Sequence, residues 1–104
     1  TLTLALTLSQ AGDWPQFLGP NRDGSTAETV APWKDPLKPV WRQPVGEAHS
    51  SPVVAGGLVY AFYQPAGKNA DALAAFDAKT GEKKWEKSYE RQEFKPLFGN
   101  GPRG

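Results

Sequence analysis

The run Ser51-Pro52-Val53-Val54-Ala55 is followed by Gly56-Gly57 and then by Leu58-Val59-Tyr60-Ala61-Phe62-Tyr63. Two stretches of β-branched and aromatic residues joined by two glycines predict a β-hairpin with a primed turn. Only primed turns match the twist of the flanking strands, and both turn positions need positive φ, which glycine adopts without steric cost. After the polar loop Gln64 to Asp71 comes Ala72-Leu73-Ala74-Ala75-Phe76-Asp77. Propensity alone would allow a helix there. So short a run, held between a glycine-containing loop and a Thr-Gly turn, predicts a strand. Lys83 to Tyr89 (KKWEKSY) alternates Lys83, Trp85, Lys87 and Tyr89 on one face with Lys84, Glu86 and Ser88 on the other. Its lysines suit an outer edge strand, where charge discourages pairing with another molecule.

These strands make a four-stranded antiparallel meander over residues 50–89, the size of one β-propeller blade. The predicted fold class is therefore all-β: one blade with an irregular N-terminal extension. Asp13 to Gly24 (DWPQFLGPNRDG) is punctuated by proline and glycine, with Trp14, Phe17 and Leu18 as apolar anchors. Thr26 to Pro39 is Pro-rich and is expected to loop over a surface. Pro39 to Val45 is a short strand with proline near both ends, and a residue that cannot donate to a ladder places it at a sheet edge. The opening TLTLALTLSQAG lacks an initiator methionine and alternates leucine with threonine or alanine. Two readings stay open: the tail of a secretory signal with small residues at Ser9 and Ala11, or an ordinary first strand. Its apolar run is too short to span a membrane.

Charge and composition narrow the functional classes. With 12 Lys+Arg against 11 Asp+Glu the net charge is +1, which makes no electrostatic case for nucleic acid or an anionic membrane. The chain has no cysteine, so disulfides, thiolate metal sites and a cysteine nucleophile are excluded. His49 is the single histidine and has no second histidine to share a metal with. Ser50 beside it would point to the opposite face of a strand, so the pair does not make a nucleophile and base. Asn21-Arg22-Asp23-Gly24 resembles part of a calcium loop, but Gly19 and Val30 occupy its first and twelfth positions, so it is a turn. Gly56-Gly57 and Gly99-Asn100-Gly101 lack the Lys-Ser/Thr of a phosphate loop. Lys79, Lys83, Lys84 and Lys87 are interleaved with Glu82 and Glu86 and form a solvated face. No catalytic, cofactor-binding or metal-ligating residue is assigned.

The stretch AFDAKTGEKKW, from Ala75 to Trp85, draws attention as a reactive site, but local chemistry favours a turn. The Asp77 carboxylate and the Thr80 hydroxyl can each accept backbone N–H groups of the turn, and Gly81 supplies positive φ. Trp85 then lies on the next strand, where its ring can fold over small Ala75. Burying an indole is worth roughly 4–6 kcal/mol as an upper estimate, against about 1 kcal/mol for a turn hydrogen bond. On this reading the tryptophan anchors and the turn aims it.

Ala75, Asp77, Thr80, Gly81 and Trp85 together resemble the A-x-D-x-x-T-G-x-x-x-W repeat of pyrroloquinoline-quinone-type β-propellers. SSPVVAGGLVYAF is similar to the first two strands of that repeat, VWRQPVGEAHSSP to the junction between repeats, and DWPQFLGPNRDG to the opening of secreted bacterial members. The resemblance implies a division of the chain: residues 1–12 as the end of a signal peptide and 13–39 as an irregular segment. Residues 40–45 would close the last blade of a ring, 50–89 would be its first blade, and 90–104 would lead to a second. It also implies an N-terminal piece of a longer, exported chain, periplasmic or secreted. Two functions share the repeat. One is a non-catalytic propeller that binds or scaffolds partners in the bacterial envelope, as BamB-like assembly factors do, with its own remaining blades and envelope proteins as partners. The other is a quinoprotein dehydrogenase acting on an alcohol or sugar. On that alternative, pyrroloquinoline quinone and calcium belong to the full-length chain and not to these residues. The non-catalytic reading is preferred, because no residue here matches the dehydrogenases' cofactor or base positions.

Overall fold

A computed structural model describes residues 12–92 and 99–103. Among them the chain is all-β, with one antiparallel sheet of four strands in sequence order: β1 (Val53–Ala55), β2 (Leu58–Tyr63), β3 (Ala70–Asp77) and β4 (Lys83–Glu90). The predicted hairpin is present. Gly56 and Gly57 have φ of 58° and 79°, and Ala55 pairs with Leu58 across them. The strand expected from Ala72 begins two residues earlier, at Ala70.

Small residues in the middle strand organise both faces. On one, Ala72, Ala74 and Phe76 form the core with Tyr63, and Ala61 and Trp41 pack against it. Ala74 pairs with Glu86 and Ala72 with Tyr63, so Tyr63 on β2 reaches across alanine-paved β3 to edge strand β4. There its hydroxyl donates to the Glu86 carboxylate. On the other face Tyr60, Ala75 and Trp85 lie in one cross-strand row. The Tyr60 and Trp85 rings meet beside buried Ala75 with centroids 6.0 Å apart. Cross-strand aromatic pairs of this kind stabilise a sheet by a fraction of a kcal/mol to about 1 kcal/mol.

The alternation expected along β4 fails at its start. A register shift between Ala75 and Phe76 leaves Trp85 opposite Ala75 but sets Lys83 opposite Phe76. The inserted residue turns Lys83 onto the face of Glu86, and its Nζ meets Glu86 Oε2 at 2.7 Å. β4 is otherwise the exposed, lysine-bearing edge that its sequence predicts.

The predicted strand at residues 40–45 has no ladder partner among the described residues. A strand needs a neighbouring backbone, and here the segment is held by side chains instead. Glu47 does pair with Gln64, through bonds of 3.0 and 2.8 Å, prolonging the β1 edge of the sheet. Gly46 precedes that bridge, and a Cβ there would collide with the Gln64 carbonyl. Further back, Trp14 exchanges both backbone hydrogen bonds with Val54, at 2.8 and 2.9 Å, and covers part of the free edge of β1. Of the three expected anchors in that region only Trp14 is half-buried; Phe17 and Leu18 are exposed. Residues 1–11 of the proposed signal segment 1–12, and residues 93–98 of the proposed linker, lie outside the described residues. Residues 99–103 lie beside the segment that leads into β1, where the Pro102 carbonyl accepts from His49 N–H at 3.1 Å and from Ser50 Oγ at 3.2 Å.

Candidate functional site

Several side-chain hydrogen bonds gather at the turn from Asp77 to Glu82. Asp77 ends β3, and its Oδ1 accepts the N–H groups of Lys79 at 2.8 Å and Thr80 at 2.9 Å. The backbone closes with Gly81 N–H on the Asp77 carbonyl at 2.8 Å, and Thr80 Oγ1 accepts from Glu82 N–H at 3.2 Å. Bonds from Thr80 and Lys79 favour the ionised carboxylate and hold the Asp77 carboxyl below its ordinary range, helped by the charge of Lys84. This carboxylate is engaged with its own backbone, and such a turn neither activates a nucleophile nor leaves a base poised near neutrality.

Trp41 completes the turn from outside. Its Nε1–H donates to the Ala78 carbonyl at 2.9 Å, and its ring stacks on Phe76 with centroids 6.4 Å apart. Gly81, at φ 76°, leaves the space the indole occupies; a Cβ there would lie 2.6 Å from the ring. Gln43 adds a bond from Nε2 to the Gly81 carbonyl at 2.7 Å. The turn is thus a socket for an indole brought by residues 41–43. Nothing local in sequence announced this, because Trp41 and Ala78 are 37 residues apart.

Trp85 differs from expectation. It lies opposite Ala75 as predicted, yet its side chain stays 39% exposed and so does not bury the indole as an anchor would. With Tyr60, Leu73 and Tyr89 it makes an apolar face, of which Leu73 and Tyr89 are also exposed. The buried tryptophan contact at this turn belongs to Trp41.

Away from the turn, chemistry-bearing residues are scattered. His49 is exposed and bonds through its backbone. Asp23 accepts from Ser25 N–H at 2.9 Å and Ser25 Oγ at 2.6 Å, an Asx turn within the partial calcium-loop sequence. Among the described residues no group of three or more His, Cys, Asp or Glu could hold a metal ion, and no helix is long and apolar enough to cross a membrane. Of the repeat residues only Asp77 carries a carboxylate, and its Oδ1 accepts the N–H groups of the turn. At the opposite end of the sheet, Arg91 bonds Asp71 Oδ1 at 3.0 Å and Gln64 Oε1 at 2.7 Å, tying β4 to the loop after β2.

No curated protein and no solved structure matches the chain. The model of a protein family described as outer membrane protein assembly factor BamB matches residues 24–102, which takes in residues 41–43, all four strands and the Asp77–Glu82 turn. With most of its length matched, the chain belongs to this family of PQQ-like repeat proteins.

Proposed function

We propose that the chain is a blade of a non-catalytic β-propeller that binds proteins in the bacterial cell envelope, in the periplasm or at the cell surface. The family match supports the propeller and protein-interaction parts of this reading. The observation that carries it further is the pairing of one filled socket with one uncovered indole. Trp41 already sits on the Asp77–Glu82 turn, while Trp85 projects from a partly exposed apolar face on the following strand. Trp85 can give a following repeat what Trp41 gives this one, so the five repeat residues serve blade-to-blade docking. A ring assembled in this way presents loops and sheet edges to partners without requiring chemistry from the repeat.

The test uses the full-length protein in two arms. Pull-down from a bacterial envelope extract should retain a stable, stoichiometric partner; empty eluates count against the scaffold. Supplied with pyrroloquinoline quinone, calcium and a panel of alcohols and sugars, the protein should not reduce an artificial dye. Turnover in that assay would replace this reading with a quinoprotein dehydrogenase.

A further inference from the structure

Gly99-Asn100-Gly101, excluded above as a phosphate loop, carries a different chemistry. An asparagine followed by glycine can cyclise. The backbone nitrogen of the glycine attacks the side-chain amide carbon, and a residue without a side chain leaves that approach open. The reaction needs an unengaged side-chain amide and a backbone N–H that no hydrogen bond holds.

The chain has three asparagines, Asn21, Asn69 and Asn100. Asn21 Nδ2 donates to Ser25 Oγ at 3.5 Å, and the N–H of the next residue, Arg22, donates to the Gly19 carbonyl at 3.1 Å. Asn69 is followed by Ala70, which is buried at the start of β3, and the Asn69 carbonyl accepts from Arg91 N–H at 3.0 Å. Asn100 is exposed, and neither its side chain nor the N–H of Gly101 bonds another described residue. Asp23-Gly24 gives an internal comparison, because aspartate cyclises onto a following glycine by the same route. There Asp23 Oδ1 accepts from Ser25, and the Gly24 N–H donates to the Leu18 carbonyl at 2.8 Å. The fold closes one Asx-Gly pair and leaves the other open.

We infer that Asn100 is a site of spontaneous deamidation in the folded protein, with water as the co-reactant. The Gly101 nitrogen forms a bond to Asn100 Cγ, and its proton leaves with the side-chain nitrogen as ammonia, closing a succinimide. Water then adds to one of the two ring carbonyls and breaks its bond to nitrogen. Opening at Cγ gives aspartate. Opening at the main-chain carbonyl gives isoaspartate, in which the chain runs through the former side chain.

The consequence is local. Gly101 packs against the segment that leads into β1; a Cβ on it would lie 2.5 Å from the Glu47 carbonyl oxygen. Isoaspartate lengthens the main chain by one methylene group immediately before that contact. Pro102 follows, and its carbonyl accepts from His49 N–H and Ser50 Oγ. The longer link displaces that carbonyl and frees the His49 N–H. The new carboxylate also adds negative charge to a cleft that Asn100 lines together with Glu47 and His49. Deamidation thus releases residues 99–103 from the blade as the protein ages.

The experiment incubates the full-length protein at mildly alkaline pH. Peptide mass spectrometry follows each asparagine, and labelling by an isoaspartate methyltransferase follows isoaspartate. Asn100 should deamidate about tenfold or more faster than Asn21 and Asn69. Isoaspartate should accumulate at Asp23 only when urea has opened its turn. Hydrogen exchange at the His49 amide should quicken in the aged protein and stay slow in an equally aged Asn100→Gln variant, whose longer side chain cyclises less readily. An Asn100 that remains an amide, or deamidates no faster than the other two, overturns the inference. So does isoaspartate forming at Asp23 as fast in the folded protein as in urea. Unchanged exchange at His49 in fully deamidated protein overturns the release.

Discussion

Trp41 Nε1–H donates to the carbonyl of Ala78 at 2.9 Å, and the indole lies against the only position in that turn without a side chain, Gly81. One bond and one close approach join the N-terminal segment to the end of β3. Replacing Trp41 by phenylalanine keeps most of the packing and removes the donor, and should cost about 1 kcal/mol. Trp41→Ala also removes the contact with Phe76 and should cost about 2–3 kcal/mol, below the range for a fully buried tryptophan because this one is partly exposed. Denaturant unfolding of the full-length protein checks both; a Trp41→Phe variant as stable as wild type would contradict the bond, and equal stabilities for the two variants would contradict the packing.

Gly81 and Lys79 lie two residues apart in the same turn and should respond very differently to substitution. Gly81→Val places a β-branched side chain at φ 76° and drives its Cβ into the Trp41 ring. A loss of about 2 kcal/mol or more is expected. Lys79→Ala alters an exposed side chain and should stay within about 0.5 kcal/mol of wild type. Thermal midpoints measured side by side decide this.

Acid should weaken the blade through two carboxylates. Asp77 is held low chiefly by the N–H groups of Thr80 and Lys79, and Glu86 chiefly by Lys83 and then by the Tyr63 hydroxyl. A carboxyl depressed in the folded state adds stability that is complete above its ordinary value, near pH 4, and is lost as pH falls through its folded value. Urea midpoints should therefore decline below about pH 4, and Asp77→Asn should flatten that decline while lowering stability at neutral pH. An unchanged acid limb in the variant would show that Asp77 is not coupled to folding.

Alkali acts through Tyr63. Burial, then the bond to Glu86 and its negative charge, push the phenol up to about 12. A raised phenol adds stability that is present below its ordinary value of about 10 and is lost as pH rises through 12. Ultraviolet titration should find one tyrosine ionising late, and Glu86→Gln should bring it back toward the others.

Local turn chemistry was legible in the sequence, and long-range packing was not. Gly56-Gly57 and Asp77-x-x-Thr80-Gly81 announce their turns because the residues that need positive φ or accept backbone N–H groups are adjacent to the bend. The shift that moves Lys83 to the face of Glu86 was hidden, because Lys83 and Lys84 are equally polar and either can be the inserted residue. Pattern fixes the register of Trp85 opposite Ala75, while its burial depends on what covers the ring. Trp41, separated from its socket by most of the blade, carries no such pattern. The composition of Val40 to Val45 predicts a strand, yet a strand is defined by a partner that composition does not supply.

On the proposed function, the motif ending in Trp85 docks one repeat against the next. Hydroxyl-radical footprinting of the full-length protein tests it most directly, with oxidation of each tryptophan resolved by peptide. Trp85, 39% exposed on this blade, should be protected to the level of Trp41. Trp85 oxidised as fast as a free indole would contradict the docking role.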